Sequence, residues 1–162
     1  MNAAGEQGCF AHYCHGFLPC AARTERQPRQ AQSAWAEELL ARLRQQSGVR
    51  AGSASKAHSR GLAVAALAAR GRLGVDAEYH APGRPIDEIV NALMQARARD
   101  AAAAYKVFTF WEAYFKALGR YPERGLLRRV AEAEHARFLL DDLHVAHATI
   151  ENAFTLTLVF RP

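Results

Sequence analysis

Two apolar runs, residues 62–68 (LAVAALA) and 73–79 (LGVDAEY), stand close together around a break that holds Arg70 and Gly71. Runs this short, broken by a glycine and carrying valine, read as strands, so the chain must build a sheet. Their closeness predicts a hairpin in which the two runs pair. The second run ends in Asp76 and Glu78, two acids one alanine apart. Side chains two apart in a strand point the same way, which sets both carboxylates on one side, roughly 7 Å apart. Like charges aimed at one spot repel unless something positive sits between them. The pair therefore reads as half of a magnesium site.

The other elements follow from periodicity and punctuation. A helix is signalled from Ser33, which can cap it; Glu37 and Glu38 occupy its early turns and Gly48 follows its end. Trp35, Leu39, Leu40 and Leu43 form its apolar stripe. Residues 86–97 carry helical spacing behind Pro85, and residues 101–118 make a long helix capped by Asp100 and ended by Gly119. A shorter helical stretch is predicted over 128–138, followed by two closing strands, 143–150 and 153–160. Residues 1–32 read as a short strand and a polar linker. Helices and strands grouped in this way predict an α+β fold.

A chain of 162 residues is one domain, or two small pseudo-repeated halves that share a core. Half its residues are hydrophobic, which excludes wholesale disorder. No apolar run reaches membrane-spanning length, and the first twenty residues lack the basic start and apolar stretch of a secretion signal. No membrane partner and a cytoplasmic location are expected. The net charge is +5, and residues 23–72 hold ten Lys/Arg against three acids. That asymmetry suits either a solvated basic face or an anionic partner. Cys9, Cys14 and Cys20 lie beside His12 and His15, but no second ligand arm follows, so a strand with Phe10 and Tyr13 partly buried is expected rather than zinc. Three cysteines cannot all pair, which fits a reducing compartment.

On the helix over 101–118, Val107, Trp111, Tyr114 and Leu118 share a stripe that reads as core. Phe108, Glu112, Phe115 and Lys116 form the adjacent face. Glu112 and Lys116, four apart, could simply pair on the surface. Packed across the strand ending in Asp76 and Glu78, the same helix would bring a third carboxylate and a lysine to one spot. Three carboxylates suit Mg²⁺, and a lysine one turn away can neutralise phosphate oxygens.

These residues resemble a known family. GVDAE, followed by FTFWEAYFKALG, is similar to the 4′-phosphopantetheinyl transferases of the Sfp-like group, whose pattern is Gly-(Val/Ile)-Asp-x-Glu and then Trp-x-x-Lys-Glu-(Ala/Ser)-x-x-Lys. Upstream, SKAHSRGLAVAAL resembles that family's Ser-x-Ser-His-Ser segment. The resemblance covers about residues 55–119. It departs at Trp111 and Phe108, which stand where the family has lysine and tryptophan, and at Ala57, which replaces a serine.

The resemblance implies two pseudo-repeated α/β halves, approximately 1–77 and 78–162, with the active site between them. It implies Mg²⁺-dependent transfer of 4′-phosphopantetheine from coenzyme A to a serine of an acyl or peptidyl carrier protein, releasing 3′,5′-ADP. Asp76, Glu78 and Glu112 match the metal ligands. Glu112 also matches the base that deprotonates the serine, and Lys116 the lysine on the diphosphate. His58 matches the histidine on the 3′-phosphate of coenzyme A, with Lys56 and Arg60 flanking it. Two halves in one chain imply a monomer serving fatty acid, polyketide or peptide biosynthesis. Two other readings stay open: a non-catalytic relative binding coenzyme A or a carrier protein, and a small basic nucleic-acid-binding domain. Nucleic acid is the less expected partner, because the clear aromatic cluster lies on the Glu112 helix and not on the basic half.

Overall fold

A computed structural model describes residues 11–18 and 27–162. Within them the fold is α+β, with four helices and two antiparallel sheets. In chain order the elements are β1 (His12–Phe17), α1 (Arg29–Ser47), β2 (Ser53–Ser59), β3 (Leu62–Ala68), β4 (Arg72–Tyr79), α2 (Ile86–Met94), α3 (Ala101–Leu118), α4 (Arg124–Glu132), β5 (Arg137–Leu140), β6 (Leu143–Ile150) and β7 (Phe154–Arg161). The first sheet runs β1-β3-β2 and the second β4-β7-β6-β5. Among the described residues no helix is long and apolar enough to cross a membrane.

The two apolar runs are both strands, yet they do not form a hairpin. β3 is the centre of the first sheet, while β4 is the edge of the second. The composition of β3 explains this. All seven of its residues are buried. Leu62, Val64, Ala66 and Ala68 pack toward the second sheet, and Ala63, Ala65 and Leu67 pack under α1. A strand buried on both faces reads as a continuous apolar run and needs neighbours on both edges, which β1 and β2 supply. The chain then turns through Gly71, at φ +80°, into the next layer. The change of sheet thus falls at residues 69–71.

The layers run α1, first sheet, second sheet, then α3 with α2 and α4. Where the sheets meet, β2 and β4 face each other through side chains. The hydroxyls of Ser53, Ser55 and Ser59 accept hydrogen bonds from the backbone N–H groups of Leu73, Val75 and Tyr79, at 3.0–3.1 Å. Each partner lies 20 residues on, so the two strands run in the same direction there.

Element boundaries and one burial differ from expectation, α2 ending at Met94 rather than at residue 97. α1 starts at Arg29 behind Pro28, and Ser33 lies exposed inside the helix without capping it. Arg29, Gln30 and Ala31 are adequate helix formers, and Pro28 has the fixed φ that suits a start. The stretch 128–138 divides into the end of α4 and β5, because Phe138 and Leu140 alternate with exposed Arg137 and Leu139. Tyr13 is 46% exposed, not partly buried. Cys14 points under α1 instead, its thiol donating to the Leu39 carbonyl at 3.6 Å, and burial raises its pKa. Phe10, Cys9 and Cys20 lie outside the described residues.

Candidate active site

Gly74 decides how close α3 comes to β4. A Cβ built there would lie 1.9 Å from the carbonyl oxygen of Ala113, so helix backbone rests directly on strand backbone. That contact sets Glu112 and Lys116, on either side of Ala113 along the helix, beside the end of β4. The Lys116 ammonium donates to Asp76 Oδ1 at 2.8 Å and to the carbonyls of Val75 and Lys56 at 3.1 and 3.2 Å. Asp76 is buried, and its other oxygen, Oδ2, is buried without a hydrogen-bond partner. Burial pushes the Asp76 carboxyl up to about 7 despite the attraction of Lys116. The charges of Glu78 and Glu112 push the same way, which places both acids within electrostatic reach of Asp76.

Glu78 sits at the mouth of this cluster. Its Oε2 accepts from Arg84 Nη1 at 2.7 Å and from the Ser59 hydroxyl at 3.3 Å. Arg84 comes from the loop after β4, and its guanidinium lies over the Phe108 ring, 4.8 Å from the centroid. Beyond Glu78 opens a cavity of about 1060 Å³ lined by Arg29, His58, Arg60, Glu78 and Arg84, among others. Three arginines against one acid make it a place for an anion. Burial lowers the His58 pKa, and Lys116 and Arg29 add to the effect, so this imidazole is neutral at pH 7.

The residues expected to act together therefore fall into three places. Lys116 on α3 bonds Asp76 on β4, and Glu78 and Glu112 lie within electrostatic reach of Asp76. His58 and Arg60 line the cavity with Glu78. Lys56 is turned away, its ammonium paired with Glu37 on α1. Arg29 and Arg84 were not singled out from the sequence, where they sit in a polar linker and a proline-flanked loop. Their composition gave no periodic signal; only the fold brings them to the cavity.

The α3 stripe is also redrawn. Val107 and Tyr114 are core, but the helix buries Ala103, Phe110 and Ala113 with them, while Trp111 and Leu118 are only partly buried. Trp111 stacks on Tyr121 at 4.2 Å, and Tyr121 in turn stacks on Phe115 at 4.6 Å. Tyr121 and Phe115 are 50% and 39% exposed. Beneath the other side of α3 runs a buried polar chain. The Thr109 hydroxyl bonds to the Tyr105 carbonyl at 2.8 Å and shares a 2.6 Å bond with Thr157, whose hydroxyl also meets His147 Nδ1 at 2.7 Å. His147 is buried on β6, and burial lowers its pKa to about 4.

No protein-family model matches this sequence, and no curated protein matches it. The donor chemistry is thus judged on the residues themselves. The three acids offer only carboxylate oxygens, as a hard divalent cation requires, and the orphaned Asp76 Oδ2 is a buried acceptor that a cation would satisfy. Among the described residues no three His, Cys, Asp or Glu side chains are already gathered as a cage; Lys116 and Arg84 hold two of the acids instead. Carboxylate oxygens are the donor type that Mg²⁺ takes, and a cation there would have to displace Lys116 and Arg84 from two of them.

Proposed function

We propose that this protein is a Mg²⁺-dependent 4′-phosphopantetheinyl transferase, moving phosphopantetheine from coenzyme A to a serine of an acyl or peptidyl carrier protein in the cytoplasm. The observation that carries the reading is Asp76: buried, with one oxygen on Lys116 and the other unpartnered, two residues before the Glu78 that lines an arginine-rich cavity. The order of elements supports it too. In each sheet a first strand pairs with the last of the group, β1 with β3 and β4 with β7, and a helix covers the outer face. We read these as two related halves in one monomeric chain, with the site at their junction.

In this reading the cavity takes coenzyme A. Arg29, Arg60 and the neutral His58 meet its phosphates, His58 as a hydrogen-bond donor. Bound at the carboxylates, Mg²⁺ would draw charge from the diphosphate. Glu112 receives the proton of the carrier serine, whose oxygen forms a bond to the phosphorus bearing pantetheine. The bond from that phosphorus to the bridging oxygen breaks, and 3′,5′-ADP leaves with the electron pair. Lys116 stands where charge grows on the leaving diphosphate oxygens. Phe115 and Tyr121, exposed and stacked in line with the partly buried Trp111, offer a surface near Glu112 where a carrier protein must dock.

Intact-mass measurement of apo carrier proteins, incubated with this protein, coenzyme A and Mg²⁺, tests the reading. The expected result is a gain of one phosphopantetheine that EDTA prevents. Coenzyme A binding with no gain on any carrier would replace it with that of a non-catalytic relative.

A further inference from the structure

Resting on the transferase reading, we propose that Arg84 and Lys116 are exchangeable counter-ions. They neutralise Glu78 and Asp76 while the cavity is empty, and pass to the diphosphate when a divalent cation takes over the acids, so that cation and diphosphate bind cooperatively.

The argument starts from what each cation touches. Lys116 Nζ has three oxygen acceptors within 3.2 Å, one for each of its N–H groups. It occupies the cluster much as a bound cation would. Arg84 is held by a single ion pair to Glu78 and by the Phe108 ring, and it lines the anion cavity at the same time. It therefore reaches either partner by a change of rotamer. Gly83, at φ +73° with nothing near its Cβ position, leaves the loop around it uncrowded.

Charge then dictates the coupling. A divalent cation arriving alone meets acids that already have cations, and must displace them into a cavity with no anion. A diphosphate arriving alone meets a cavity whose Arg84 is already engaged by Glu78, with Lys116 held by Asp76. When both arrive, the acids turn to the metal and the freed ammonium and guanidinium turn to the phosphate oxygens. Every charge then has a partner of opposite sign. The second oxygen of Asp76, which none of the described side chains satisfies, gains a partner when the cation takes over the acids. Coupling between two ligands is reciprocal, so coenzyme A tightens metal binding by the same factor as metal tightens coenzyme A.

The test is Mn²⁺ binding followed by the electron paramagnetic resonance of the free ion, with and without coenzyme A, corrected for metal that coenzyme A binds by itself. In the wild-type protein coenzyme A should tighten Mn²⁺ by about tenfold or more, within the usual range of such couplings. Arg84→Gln should bind Mn²⁺ more tightly than wild type when coenzyme A is absent, and should lose several-fold of the coupling. Arg84→Lys, which keeps the charge, should restore most of it. Mn²⁺ binding that coenzyme A leaves unmoved, or coupling that Arg84→Gln leaves intact, would overturn the exchange while leaving the metal site standing. No Mn²⁺ binding in either condition would overturn both the exchange and the metal-dependent reading beneath it.

Discussion

α1 and α3 each cover the outer face of one sheet, but the two interfaces are filled in opposite ways. Under α1 the contact is apolar: Ala36, Leu39, Leu40 and Leu43 against Ala63, Ala65 and Leu67. Under α3 the helix meets Gly74, the buried Asp76 and the chain from Thr109 through Thr157 to His147. An apolar interface stabilises by burial alone. A polar one holds groups that cost free energy when dry, and it tolerates them where they have partners or a ligand to meet. One interface is thus a plain apolar support, and the other holds the buried polar groups.

The largest expected effect separates the two helices by activity. Asp76→Asn or Glu112→Gln should lower the transfer rate by roughly 10²–10³-fold or more, with the melting transition retained. Glu37→Gln, on the outward face of α1, should leave the rate within about twofold of wild type. Similar rates for all three variants would erase the distinction.

Packing gives the next contrast. Gly74→Ala sets a methyl against the Ala113 carbonyl, which belongs to helix backbone and cannot rotate away. It should cost about 3 kcal/mol in urea unfolding and displace α3, so that activity falls with stability. Leu40→Ala under α1 should cost about 2–5 kcal/mol with the rate of the remaining folded protein unchanged.

The third is read from pH. His147 stays neutral in the folded protein down to about pH 4, whereas in the unfolded chain it gains a proton near 6.5. Its contribution is complete above pH 6.5 and is lost as pH falls toward 4, at a cost of about 3 kcal/mol. Asp76 acts in the opposite sense without metal. Its folded pKa lies near 7, above the ordinary 3.8, so its contribution is complete below pH 3.8 and is lost as pH rises to 7. The difference between His147→Gln and wild type in urea unfolding, measured from pH 7 to 4, should show the histidine's share alone. Parallel curves would mean that His147 is protonated inside the fold.

The smallest effect concerns the junction of the halves. Ala57 lies in the row of Ser53, Ser55 and Ser59, opposite Ala77, and is buried there. Ala57→Ser supplies a hydroxyl at that place and should stabilise by about 1 kcal/mol, raising Tm by about 2–4 °C. A drop in Tm would mean that the site has no room for the oxygen.

Much of this was legible in the sequence where a local rule acts alone. Asp100 does cap α3, its carboxylate accepting from Ala103 N–H, and Gly48 and Gly119 do close their helices in the left-handed conformation. β6 and β7 follow from alternation, and the contact of Lys116 with Asp76 follows from a strand pattern and a helix pattern. What failed was anything decided between layers. Residues 62–79 look like a hairpin because proximity along the chain favours pairing, yet burial on both faces of β3 sends β4 into another sheet. Arg84 and His147 were hidden for the same reason: a loop arginine and a strand histidine acquire their roles only from what the second sheet and α3 set beside them.

The serine row between β2 and β4 has a consequence for how the chain avoids self-association. Both are edge strands of their own sheets, and an edge offers open N–H groups to any passing strand. Here each half shields the other's edge, with hydroxyls standing in for backbone carbonyls. A cut within residues 69–71 that let the halves drift apart would bare two sticky rims at once. Split fragments of this protein should therefore clump unless they are made together.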